Sequence, residues 1–164
     1  MSDTLVAERA ELLSPESKLI REGTIRNLGR MARIDTADAM KFSDDLLKGA
    51  PALSAKADII FGAIYGKLTV SDLPSPYQKK VYKSDVWGVG ATGGTSIGVM
   101  YTAYSDWSAF FKNVTSCHVQ GIADGAGILQ VNWFISNGTP VGQFNGAMAG
   151  AGGLEAGGSG KWTG

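Results

Sequence analysis

The sequence predicts a mainly β protein: a short helical N-terminal segment over residues 1–52, then a small closed antiparallel barrel over residues 53–164. Three observations carry this. Charge and glycine are partitioned: residues 1–83 hold 13 of the 15 Lys/Arg and 11 of the 15 Asp/Glu, whereas 18 of the 23 glycines lie beyond them. Charged, glycine-poor sequence favours solvated helices, and glycine-rich apolar alternation favours curved sheet. From Ile128 onward apolar and polar residues alternate. Leu129, Val131, Trp133 and Ile135 share one face of a strand, Gln130 and Asn132 the other. After Asn137-Gly138, a dipeptide suited to a two-residue hairpin turn, the alternation continues for about twenty residues as a second arm. Phe144, Met148, Leu154 and Trp162 fall on even positions, and Gln143, Asn145, Glu155 and Lys161 on odd ones. A period of two means one buried and one wet face, so Trp133, Phe144, Met148 and Trp162 are expected inward, and the amide face outward. Thirdly, about eight short β-prone runs separated by turn signals fill the chain beyond Pro51, the density of a barrel with a filled interior.

In chain order, a helix is expected over residues 4–13. A second starts with Ser14 as N-cap and Pro15 at the first helical position, and runs to about Arg33 despite Gly23 and Gly29. A third fits Thr36 to Lys48, stopped by Gly49 and Pro51, with Ala50-Pro51-Ala52 as linker. The apolar stripes are thin, which fits helices packed loosely on the barrel, an export leader, or a helix-in-groove ligand. Ile59 to Val70 reads as strand. Leu73-Pro74-Ser75-Pro76 is a turn or edge loop, Tyr77 to Val89 gives a strand or two, and Gly90-Ala91-Thr92-Gly93-Gly94 a flexible turn. Ile97, Val99 and Tyr101 alternate in the next strand. Ala103 to Lys112 suggests a helical turn across a barrel end, Ser116 to Ala123 a strand, and Asp124 to Gly127 a turn before the hairpin.

Composition removes several functions. The charges balance, so no overall field favours nucleic acid. Cys117 and His118 are the single cysteine and histidine, too few for an internal disulfide or a zinc site, and as neighbours on a strand they face opposite ways. No run reaches the roughly 18 apolar residues of a membrane-spanning helix. The N-terminus lacks the basic and apolar regions of a Sec signal peptide. Export by another route, a signal missing from this sequence, and a cytoplasmic location all stay open.

Residues from about Ile60 to Trp162 resemble the virulence-associated proteins (Vap family) of Rhodococcus equi. The matching stretches are Ala63-Ile64-Tyr65-Gly66-Lys67-Leu68, Gly98-Val99-Met100-Tyr101-Thr102, Leu129-Gln130-Val131-Asn132-Trp133-Phe134 with the Asn137-Gly138 turn, and Gly157-Gly158-Ser159-Gly160-Lys161-Trp162. The resemblance implies a compact eight-stranded antiparallel β-barrel with Greek-key elements and no enzymatic site. It also implies secretion and action on host endolysosomal compartments at membranes. It carries over no catalytic residue, cofactor or metal. The charged helical N-terminus departs from the family pattern.

Three classes of function compete. A non-enzymatic interaction protein would use surface aromatics. Phe134 falls on the Gln130/Asn132 face and, with Tyr104, Trp107 and Phe111 near a barrel end, would form an exposed patch for a lipid membrane or a protein partner. A carbohydrate hydrolase would need a carboxylate pair from Asp85, Asp106, Asp124 and Glu155, although turn and capping roles account for Asp124 and Asp106. A lipocalin-like carrier would need an empty interior, which the bulky side chains between glycines oppose. His118 reads as a surface or hydrogen-bonded histidine, with a pH sensor as the sharper option, and Cys117 as a small buried hydrophobe. Residues 90–94 lack the helix and Lys-Ser/Thr of a phosphate loop.

Overall fold

The computed structural model describes residues 11–122, 127–148 and 153–164. The expected helix over 4–13 and the turn at Asp124 lie largely outside these residues. Helix α1 spans Lys18–Met31. Its N-cap is Ser17, whose hydroxyl accepts from Ile20 N at 3.3 Å, so the helix starts three residues after the Pro15 position the sequence suggested. Helix α2 spans Thr36–Leu46, capped by Asp35, which accepts from Asp38 N at 2.8 Å. The stretch after α2 is tied down rather than loose: Ala50 N donates to Tyr104 O and Trp107 Nε1 to Pro51 O, both at 2.8 Å.

Strands β1 (Leu53–Ser71), β2 (Val81–Thr102), β3 (Ser116–Ile122), β4 (Ile128–Phe134), β5 (Pro140–Ala147) and β6 (Glu155–Thr163) form one antiparallel sheet, with helix α3 (Trp107–Asn113) between β2 and β3. The strand order is β1-β2-β5-β4-β3-β6, and β2 also pairs with β6. Strand β2 meets β6 along residues 81–89 and β5 along residues 97–102, so the pairings from β2 through β5, β4, β3 and β6 return to β2 in a ring. Among the described residues there are six strands where the sequence suggested about eight. The glycine run 90–94, expected as a turn, lies inside β2, where Gly90 takes φ +129°. The partner strand shifts register between Ala63 and Tyr65. Glycine here bends a continuous ribbon instead of ending it. The long second arm of the hairpin is likewise two strands, β5 and β6. The Asn137-Gly138 turn is wider than two residues: Ile135 N bonds Thr139 O, Asn137 Oδ1 accepts from Thr139 N, and Gly138 takes φ +86°.

The enclosed side of the sheet forms the main core. Trp133, Tyr82, Phe110, Phe144 and Met100 are fully buried there, joined by Met148, Leu154 and Trp162. The inward face expected from the alternation is therefore correct. The opposite face of β3, β4 and β5 differs from expectation. All seven residues of β4 are buried, because α1 and α2 lie over that face. Ile20 packs with Ile122 and Ile128 at one end, and Leu28, Ala39, Phe42 and Leu46 pack with Phe134 at the other.

Candidate functional site

Between those two apolar ends lies a grid of amides. Antiparallel register puts Gln120, Gln130 and Asn145 in one row across β3, β4 and β5, and His118, Asn132 and Gln143 in the next. The five amide side chains are 0–1 % exposed, the reverse of the wet face the alternation implied. Helix α1 makes the difference. Thr24 Oγ1 accepts from Gln130 Nε2 at 3.1 Å and Gln143 Nε2 at 2.9 Å, and itself donates to Ile20 O. Gln120 Nε2 donates to Gly23 O at 2.6 Å, and Asn132 Nδ2 to Asn27 Oδ1 at 3.1 Å. Within the grid, Gln120, Gln130, Asn132, Gln143 and Asn145 bond one another at 2.8–3.1 Å. A buried amide costs several kcal/mol unpaired, of order 1–3 kcal/mol by mutation, so only a bonded network survives here. A Cβ at Gly23 would stand 2.5 Å from Ile122 Cδ1, so glycine lets the helix approach. The signal for this network was in the sequence as Gly23-Thr24 and Asn27 on one helical face, but nothing local pairs that face with the strands.

The aromatics expected on the surface are inside. Trp107, Phe111 and Phe134 are 3–5 % exposed. Trp107 and Phe111 join Phe110, Trp133, Trp162 and Tyr82 in one aromatic cluster with centroid separations of 5.0–5.8 Å. The seven-residue helix α3 turns its apolar face into the ring and so buries them. Phe134 sits beneath the helices, 4.6 Å from the His118 ring. Tyr104 is half-buried against the core. An exposed patch of these four does not form.

A different apolar ridge does. Ile60 (76 %), Ile64 (65 %), Trp87 (59 %) and Val89 (58 %) are exposed around the bend of the β1–β2 ribbon, with Ile97 further along β2. Tyr65 and Trp87, cross-strand partners, stand 4.6 Å apart by ring centroid. Sequence reasoning missed the ridge because it read Ile59 to Val70 and Tyr77 to Val89 as strands without assigning their faces. The bulge between Ala63 and Tyr65 exchanges the inward and outward sides of β1.

Of the four carboxylates a hydrolase could use, the three described ones each have a local partner. Asp85 accepts from Tyr65 Oη at 2.6 Å, Asp106 caps α3 by accepting from Ala109 N at 2.9 Å, and Glu155 lies 3.4 Å from Arg30. Cys117 points into the core, where burial pushes its thiol up to about 11, while His118 faces the amide grid and burial lowers its pKa. Among the described residues no group of three His, Cys, Asp or Glu could hold a metal ion, and no helix is long and apolar enough to cross a membrane.

Residues 26–163 match the model of the Rhodococcus equi virulence-associated protein family. The chain belongs to that family. Two solved structures from the same organism, described as an intracellular pathogen, share its fold. The virulence-associated protein VapB is 24 % identical, with a TM-score of 0.58 over 69 % of this chain and 96 % of its own. VapD is 22 % identical, with the same TM-score over 69 % of this chain and 97 % of its own. Comparison with curated proteins found no match. Nearly the whole of each neighbour thus finds its counterpart in about two-thirds of this family member. That share is about the length of the six-stranded part.

Proposed function

We propose that this family member is a non-enzymatic, exported virulence effector that acts by surface contact, with lipid membranes of host endolysosomal compartments as its target. Family membership supports the virulence role. The observation that carries the membrane reading is the ridge of Ile60, Ile64, Trp87 and Val89, whose large apolar side chains face water on a bent two-stranded ribbon. Single exposed apolar side chains are ordinary, but several on one short ribbon favour a contact surface. An aromatic pair such as Tyr65 and Trp87 suits the headgroup boundary, where one ring edge is wet and the other apolar.

Co-sedimentation with phospholipid vesicles at neutral and acidic pH tests this. Trp87 is the one exposed tryptophan of four, so a blue shift of emission on vesicle addition reports its insertion directly. Binding should fall severalfold in Trp87→Ala and Ile64→Ser and persist in Phe111→Leu. No sedimentation at either pH, or binding indifferent to both ridge substitutions, would replace the membrane with a protein partner.

A further inference from the structure

We propose that the α1–α2 hairpin is a detachable cover, and that the amide-lined face of β3, β4 and β5 beneath it is a helix-docking site which this hairpin occupies in the closed protein. The proposal does not depend on the apolar ridge. Four observations carry it. The centre of the seam is held by neutral hydrogen bonds from Gln120, Gln130, Asn132 and Gln143 to Gly23, Thr24 and Asn27, and among the described residues the apolar anchors lie at its two ends. Groups of this kind bond to water when parted, so the apolar surface that opening exposes is confined to the two end clusters. The two helices are linked to each other, through Leu28 packed on Ala39, Phe42 and Leu46 and through the Arg21–Asp44 ion pair, so they leave as one body. The exit point is defined, because Leu47 and Lys48 are exposed whereas Ala50 and Pro51 are anchored to Tyr104 and Trp107. Lastly, about two-thirds of this chain covers 96–97 % of VapB and VapD, so a chain of this fold can be about a third shorter than this one.

The docking chemistry is specific. The occupant is a helix presenting a glycine, a hydroxyl beside it and an amide three residues further on, the pattern of Gly23, Thr24 and Asn27. Glycine permits the approach to Ile122, the hydroxyl receives two amide N–H groups, and the amide oxygen receives a third. Opening would present the same face to a helix in trans.

Hydrogen exchange of the full chain by mass spectrometry, in rising sub-denaturing urea, tests the cover. Residues 18–46 should exchange together, about tenfold or more faster than β3–β5, through an opening with a small urea dependence. Thr24→Val, which keeps the shape and removes the acceptor, should speed the helices by roughly another tenfold and leave the strands unchanged. Equal rates and equal urea dependence for helices and strands, or equal acceleration of both by Thr24→Val, would overturn the detachable cover. A fluorescent peptide of residues 15–48 tests the face itself. It should bind the Thr24→Val chain more tightly than the wild type, and the same peptide carrying Gly23→Leu should not bind. The absence of saturable binding to either chain would overturn the docking site.

Discussion

His118 occupies the sixth position of the grid whose other five members are amides, and it is the only one of the six that titrates near neutrality. Its ring packs on Phe134 and lies close to Gly157, and burial lowers its pKa. The sign of the linkage follows. A histidine with a lower pKa folded than unfolded leaves stability intact above the unfolded value of about 6.5. As pH falls from there towards the folded value, the unfolded chain takes up the proton more readily and stability declines. Urea denaturation between pH 7.5 and 5 should show this decline in the wild type and lose most of it in His118→Gln. The same slope in both proteins would assign the effect to other groups. Cys117, one residue away, faces the core with its thiol well above the usual range, and so stays an un-ionised packing group.

At the scale of elements, β1 begins at Leu53, directly after the Ala50-Pro51-Ala52 stretch. We expect a chain starting at Leu53 to keep a β-rich circular dichroism spectrum. It should be less stable and more prone to associate than the full protein, because Ile122, Ile128 and Phe134 lose the side chains that cover them. A disordered spectrum would make the helices an obligate part of the fold. The alternation in β4 and β5 was legible because the pleat alone dictates which residues share a face, and it correctly placed Trp133, Phe144, Met148 and Trp162. Which face meets water was not legible. That depends on a helix about a hundred residues earlier in the chain, whose matching groups are a threonine, an asparagine and a backbone carbonyl. The ends of strands were also hidden at residues 90–94, since glycine serves equally as a turn and as a bend in a continuing strand. The same bend, together with the bulge beside Ala63, put the apolar ridge outside.

For the molecule as a whole, charge is unevenly distributed along the chain and the ridge side chains themselves carry none. Residues 84–164 hold 6 of the 30 charged residues, while most of the charge lies before them, much of it on the covering helices. Membrane association through the ridge should therefore change less than about twofold between 0.05 and 0.5 M salt, far below the loss expected of binding driven by a basic patch. A steep fall with salt in vesicle sedimentation would point to the lysines instead. The closure of the ring has a consequence for how the protein is made. Strand β6 completes two seams at once, pairing with β2 on one side and β3 on the other, and brings Trp162 against Tyr82, Trp133 and Phe111. Until residues 155–163 have emerged from the ribosome, β2 and β3 lack their shared neighbour and the aromatic cluster lacks a wall. A chain short of β6 therefore stays unclosed, with the aromatic cluster open to solvent.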